Sequence, residues 1–310
     1  MQIAVIGAGL IGRAWAIVFA RAGWQVRLTD TDAATFARAP GLLAESCRDL
    51  QAAGLLDDPA AALARIHPVP TLEAAVAGVD LVQECGPEQL AAKQALFAAL
   101  DAAAPADAIL ASSSSAIVAS LYTEGLAGRA RCLVAHPVNP PHLVPIVELC
   151  PAPWTDPAVV ARARTLYEAA GQVPVALTRE VEGFVVNRLQ GALLTEALRL
   201  VGEGVISPQD LDKCIADGLG LRWAFIGPFA TIEMNAPGGI PDYCARFGGF
   251  YRRLAAEPAP PTVWDAPTAA RVAEAWGPPP DRADMERLSA WRDKRLAALA
   301  ALKRRRPGEH

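Results

Sequence analysis

The sequence predicts an α/β protein: an N-terminal Rossmann-type, doubly wound sheet followed by an all-helical C-terminal domain. Three observations predict it. A glycine-rich turn joins a short apolar strand to an amphipathic helix in the first 22 residues. Apolar strand runs then alternate with alanine- and leucine-rich helical stretches as far as residue 177, and beyond Gly183 the strand signal gives way to helical spacing. Strand and helix in alternation imply right-handed crossovers and a mainly parallel sheet covered on both faces. A chain of 310 residues, at about 150 per domain, fits two domains, which the sequence places at 1–182 and 183–310.

Residues 2–6 form the first apolar strand, the glycine turn follows, and the first helix runs over 11–22 until Gly23 closes it. Residues 24–29 read as the second strand. The stretch 34–66 carries no strand signal and is expected to be a helical excursion. Further strands are expected at 81–84, 109–112, 132–135, 144–149 and 173–177. In the second half, Phe184, Val185, Leu189, Leu193, Ala197, Leu198 and Val201 recur at helical spacing. Helical stretches follow at 208–217 and 282–303, with proline-rich breaks at 257–267 and 277–280.

Composition narrows the function classes. Hydrophobic residues make up 52% of the chain and charged residues 20%, enough for a sizeable core and unlike a disordered chain. A net charge of −4 argues against nucleic acid as a partner, since polyanion binders carry a basic surplus. The one basic run, 303–306, reads as a solvated tail. The first residues lack a basic leader region, and no uncharged stretch reaches the ~20 apolar residues of a membrane helix. Cys47, Cys85, Cys132, Cys150, Cys214 and Cys244 are scattered without a CxxC spacing, so they are expected to be reduced thiols with no metal site. The expectation is a soluble, cytoplasmic protein with a small-molecule substrate.

The glycine turn is the first chemical signal. In Gly7-Ala8-Gly9-Leu10-Ile11-Gly12, Gly7 permits a tight turn, Gly9 lets a pyrophosphate approach the backbone, and Gly12 allows close helix–strand packing. Leu10 and Ile11 open the helix whose free N–H groups and dipole favour phosphate. Asp30 ends the second strand, placed to hydrogen-bond the adenosine ribose and to repel an added phosphate, so NAD is expected rather than NADP. A glycine turn in some other doubly wound protein is the competing reading. The chain has four lysines, and Lys93 is the one lysine before residue 183. Five residues after Glu88, it reads on spacing alone as a surface pair or as a functional lysine, with equal weight.

His136 follows the apolar run 132–135 and begins His-Pro-Val-Asn-Pro-Pro, with Glu148 twelve residues on. Oxidising an alcohol needs a base for the hydroxyl proton, and the ordinary histidine pKa lies near working pH. A carboxylate on the far ring nitrogen would fix the tautomer. On these residues alone, a core or turn histidine competes evenly with a base.

Taken together, Gly7 to Gly12, Leu110-Ala-Ser-Ser-Ser-Ser115, His136-Pro-Val-Asn139-Pro, Val147-Glu148-Leu149 and Gly183-Phe-Val-Val-Asn187-Arg188 resemble the 3-hydroxyacyl-CoA dehydrogenase superfamily. Gln83-Glu84-Cys85, Ser207-Pro208 and Ala224-Phe225-Ile226-Gly227-Pro228 bring the chain nearest its lambda-crystallin, or L-gulonate 3-dehydrogenase, branch. The resemblance runs from residue 3 to about 303. It implies His136 as the base and Glu148 as its orienting carboxylate. It implies Ser115 and Asn187, with Asn139 nearby, as substrate-binding residues, and Glu88 and Lys93 as cofactor contacts. It also implies a homodimer assembled through the helical domain.

Two departures bear on the substrate. Acyl-CoA enzymes of the family have two aromatics after the histidine, where this chain has Pro137-Val138. The excursion offers Arg38, Arg48 and Arg65 but also Glu45, Asp49, Asp57 and Asp58, a poor surface for the phosphates of CoA. The leading expectation is therefore oxidation of the 3-hydroxyl of a small L-3-hydroxy acid such as L-gulonate. The alternatives are an L-3-hydroxyacyl-CoA, a carnitine-like hydroxy acid, a structural crystallin and an NAD sensor. Arg222, isolated among glycines and apolar residues in Gly218-Leu-Gly220-Leu-Arg222-Trp223-Ala-Phe-Ile-Gly-Pro228, is expected to grip a substrate carboxylate, with a salt bridge or helix cap as the competing reading.

Overall fold

The local signals assemble into two compact units. The computed structural model describes residues 1–305, divided into a first unit of 1–187 with 287–305 and a second of 188–286. Arg306, the end of the basic run, and His310 lie outside the described residues.

The first unit runs β1 (Gln2–Ile6), α1 (Leu10–Arg21), β2 (Gln25–Thr29), α2 (Ala33–Ala52), α3 (Pro59–Leu63), β3 (Ile66–Pro68), α4 (Leu72–Val76), β4 (Leu81–Glu84), α5 (Leu90–Ala103), β5 (Ile109–Ser112), α6 (Ser120–Thr123), β6 (Cys132–Pro137), β7 (Ile146–Pro151), α7 (Pro157–Ala169) and β8 (Val173–Ala176). The strands form one sheet in the order β3-β2-β1-β4-β5-β6-β7-β8. All neighbours are parallel except β6 and β7. The short connection over 138–145 explains that exception, because a parallel crossover needs a dozen or more residues.

Side chains alternate across the strands, as the two-residue period requires. Ile3, Val5, Val26, Leu28, Ile109 and Leu133 face one core, built with α1, α2 and α7. Ala4, Ile6, Val82, Leu110 and Val134 face the other, built with α4 and α5. The sheet is thus wound on both sides, as expected. The excursion is helical in α2 and α3, each started by an aspartate cap: Asp32 accepts from Ala34 and Thr35, and Asp58 from Ala61. Residue 66, however, opens β3, a strand the sequence reading missed. Its three residues carry one buried apolar side chain, Ile66, too few to show a period.

The second unit continues α8 (Val186–Gly202) through α9 (Pro208–Lys213), a π-helical turn over Cys214–Leu219, α10 (Gly220–Trp223), α11 (Pro228–Met234), α12 (Gly239–Ala255) and α13 (Ala266–Trp276) into α14 (Arg282–Arg305). The assignment of everything beyond 182 to the helical domain needs correction at its end. From Arg287 onward α14 belongs to the first unit, where Leu296, Ala297, Ala300 and Ala301 join the core of α1 and α2. Arg304, inside the run read as a solvated tail, donates to the Leu55 carbonyl. Helical periodicity reveals an apolar face but not which core that face covers. Among the described residues, no helix is long and apolar enough to cross a membrane.

Candidate active site

The strand order reverses between β1 and β4, and ligands of doubly wound sheets bind beyond the carboxyl ends of the strands at such a point. The glycine turn lies there. Gly7 has φ 108°, and a Cβ on it would meet the Cys85 carbonyl oxygen at 2.6 Å. A Cβ on Gly12 would lie 1.8 Å from the Gly7 carbonyl oxygen, so only glycine lets α1 start against its own turn. At Gly9 nothing stands within 4 Å, which leaves space for an approaching phosphate. Gly9 caps α1 without a side-chain acceptor and the first turn has no acid, so its N–H groups remain available to an anion. Leu10 is exposed and Ile11 half-buried.

Asp30 anchors this turn. Its Oδ2 accepts from Ala8 N at 2.6 Å and its Oδ1 from Asp32 N at 2.8 Å. Each oxygen keeps a second lone pair for a ribose hydroxyl. The sequence reading missed Arg13, whose guanidinium donates to the Ala8 carbonyl at 2.7 Å and braces the turn from the helix side. Burial, and then Arg38, lower its pKa.

The second cluster sits on β6 and β7. His136 does not end its strand: β6 continues to Pro137, and the antiparallel register sets His136 directly opposite Glu148. Nδ1 lies 2.8 Å from Glu148 Oε2, with the ring 5% exposed and packed 5.2 Å from Phe184. A carboxylate only accepts, so Nδ1 carries the proton and Nε2 remains as the acceptor nitrogen. Glu148 Oε1 accepts from Val185 N at 2.8 Å and Val186 N at 3.0 Å, where the chain enters α8. Burial raises the pKa of Glu148, but the hydrogen bonds from His136, Val186 and Val185 outweigh it and hold the carboxyl below its ordinary value.

Those backbone donors are aimed by an unusual conformation. Gly183 and Phe184 both have positive φ, 75° and 50°, and a non-glycine residue in that region is strained. Phe184 is fully buried against His136, which holds it there. The next residue but two is Asn187, whose side-chain nitrogen donates to the Ser115 carbonyl at 2.7 Å. One buried carboxylate therefore links the histidine to the helix turn that carries Asn187, and Asn187 to the loop of Ser115.

Other expected residues lie apart from this pair. Asn139 is exposed between β6 and β7. Glu88 accepts from Ser114 Oγ, Ala116 N and Ile117 N, capping the loop that includes Ser115. Lys93 is 1% exposed, with Nζ 3.0 Å from Glu84 Oε2 and 3.9 Å from Glu88 Oε2. Arg222 is exposed on α10 in the second unit, after the π-helical turn.

The residues 2–181 match the NAD binding domain of 3-hydroxyacyl-CoA dehydrogenase, and 183–273 match its C-terminal domain. The chain belongs to the 3-hydroxyacyl-CoA dehydrogenase family. It is an NAD-dependent oxidoreductase of that family. Among its relatives, the lambda-crystallin homolog of Bos taurus is 45% identical, covering 98% of this chain and 96% of the relative. The L-carnitine dehydrogenase of Streptomyces coelicolor is 37% identical over 86% of this chain and 85% of its own. The solved structure of 5-formyl-3-hydroxy-2-methylpyridine 4-carboxylic acid 5-dehydrogenase, an NAD-dependent dismutase, superposes with a TM-score of 0.84 at 30% identity, over 97% of both chains.

Sequence reasoning in this family member overlooked Glu84, although a signal existed. A carboxylate within the apolar run 81–85 demands a cation, and Lys93 is the single lysine that the following helix offers.

Proposed function

We propose that this dehydrogenase oxidises the 3-hydroxyl of a small L-3-hydroxy acid, L-gulonate-like, to the 3-keto acid. The observation that carries the chemistry is the buried His136–Glu148 pair, with Asn187 tied to Ser115 beside it. Gly7, Gly9, Gly12 and Asp30 suit NAD, whose nicotinamide supplies the hydride acceptor when bound. The substrate hydroxyl is held by Asn187 and Ser115. His136 Nε2 takes the hydroxyl proton, and Glu148 stabilises the imidazolium that forms. Glu148 cannot drift, because two backbone N–H groups hold its other oxygen.

A free acid rather than a CoA thioester is supported by the excursion, where Arg38 and Arg48 share the exposed surface with Glu45, Asp49, Asp57 and Asp58. Substrate carboxylate binding is assigned to Arg222, with Asn139 as a further polar contact. The kinship with an L-carnitine dehydrogenase supports a carnitine-like hydroxy acid as the second reading. Phe225, Phe229, Phe250, Tyr251 and Trp264, exposed on the second unit, support a homodimer formed there. Measuring NADH formation with L-gulonate, L-carnitine and 3-hydroxybutyryl-CoA tests the substrate. Turnover of the thioester alone would overturn the free-acid reading.

A further inference from the structure

Ser115, which the proposed chemistry gives to the substrate hydroxyl, stands two residues after a serine that is bound to the core. Ser113 Oγ accepts from Trp15 Nε1 of α1 at 3.1 Å and from Gln83 Nε2 of β4 at 2.8 Å. Gln83 Oε1 in turn accepts from the hydroxyl of Tyr167 on α7. The circuit closes through the rings, because Trp15 packs on Tyr167 with centroids 5.5 Å apart. Helices α1 and α7, strand β4 and the segment after β5 are thereby tied at one place, by residues as far apart as 98 positions in the chain.

The direction of the hydrogen bonds in this circuit is set. A tryptophan N–H can only donate, and a hydroxyl oxygen has two lone pairs to offer. With Trp15 and Gln83 occupying both, the Ser113 proton is left for Cys85 Sγ at 3.3 Å. Cys85 can receive it because its own proton goes to the Gln83 carbonyl, at 3.8 Å. Burial pushes that thiol up to about 12, so it keeps the proton it donates. Trp15, Gln83 and Tyr167 are fully buried. Rotating the Ser113 hydroxyl away would therefore leave the Trp15 and Gln83 donors without an acceptor, in a place water does not reach.

Stability alone does not call for this arrangement. Trp15 and Tyr167 already share an apolar core with Phe19, Leu28 and Leu133, and buried hydrogen bonds return little net energy once desolvation is counted. What a fully partnered polar chain supplies is one fixed position. The ladder of β5 ends at Ser112, so the path from Ser113 to Ser115 depends on what those residues meet outside it. Ser113 meets the core, and the Ser115 carbonyl meets Asn187 Nδ2 at 2.7 Å. We infer that Ser113 is a positioning residue which, held by Trp15, Gln83 and Tyr167, sets Ser115 against Asn187 without itself touching substrate. The inference rests on the proposed role of Ser115 and Asn187, and its test separates the two.

The test is steady-state kinetics of the full chain, with whichever of L-gulonate, L-carnitine and 3-hydroxybutyryl-CoA gives the fastest NADH formation. Ser115→Ala checks the underlying reading, and wild-type kcat in that variant would overturn reading and inference together. Ser113→Ala should lower kcat about tenfold or more, as a displacement of ~1 Å in a positioned group does, and keep KM for NAD within about twofold of wild type. A hydroxyl with a merely structural role would lower Tm and leave kcat, measured well below Tm, unchanged. A slow Ser115→Ala beside a folded Ser113→Ala with kcat within about twofold of wild type would overturn the inference alone. So would a raised KM for NAD at unchanged kcat, which would place Ser113 with the cofactor. Should Ser113→Ala fail to fold, Gln83→Leu together with Tyr167→Phe replaces the other arm of the chain by an apolar pair. That double variant is expected to melt cooperatively with kcat lowered about threefold or more, and wild-type kcat in it would sink the inference equally.

Discussion

Replacing Glu148 by glutamine keeps the shape of the side chain and changes its hydrogen-bonding character. The carboxylate now accepts three hydrogen bonds, from His136 Nδ1 and the Val185 and Val186 amides. An amide has one acceptor oxygen and one donor nitrogen. The two backbone donors will claim the oxygen, since turning the NH₂ toward them would set donors against donors. The NH₂ must then face His136, which forces Nδ1 to accept and leaves the proton on Nε2. That is the wrong tautomer for a base. Turnover should fall by about 10²–10⁴, as for the loss of a positioned base, and His136→Ala should match it. Each charge-assisted hydrogen bond exceeds a neutral one by roughly 1 kcal/mol, so three of them put the stability cost at about 3 kcal/mol. Initial rates of NADH formation measure the first effect and thermal melting the second. A folded Glu148→Gln variant with turnover within about threefold of wild type would refute the tautomer argument. The lowered pKa of Glu148 also sets an acid limit. The stabilisation it contributes is complete above the ordinary carboxylate value of about 4.3 and is lost as pH falls below it.

Three further outcomes are expected. Asp30→Ala with an arginine introduced nearby should relax the preference for NAD, and equal kcat/KM of the wild type for NAD and NADP would remove Asp30 from the ribose site. Arg222→Met should raise KM for hydroxy acids about tenfold or more, the loss of a bidentate carboxylate contact, with NADH affinity unchanged; an unaltered KM in a folded variant would exclude Arg222. His142 is pushed down to about 4 by burial and by Arg21, against the opposing pull of Asp293. Its neutral form therefore favours the fold, a contribution complete above about 6.5 and lost as pH falls toward 4. Denaturant titrations across that range should show a flatter acid decline in His142→Asn, and identical slopes would count against it.

Much of the cofactor half was written in local sequence. Gly7, Gly9, Gly12 and Asp30 announce themselves because a tight turn and a strand-end carboxylate are properties of neighbouring residues. The two-sided strands were legible for the same reason: β1 and β5 are apolar apart from one terminal residue each. The pairing of His136 with Glu148 needed more. Twelve residues separate His136 from Glu148, and only the antiparallel register of β6 on β7 sets them face to face. The short connection between the strands could have signalled that register, since it is too brief for a crossover. Nothing in the sequence around Val185 and Val186 says that their amides will hold a carboxylate from another strand, because that depends on the positive φ of Gly183 and Phe184. Lys93 shows the limit most clearly. A lone lysine on a helix reads as a surface charge or a ligand contact, and its burial became visible only once α5 was packed over Glu84 and Ser112. The return of α14 to the first unit has the same cause. Sequence determines which face of an element is apolar or charged, whereas the partner of that face is chosen by the packing of segments distant along the chain.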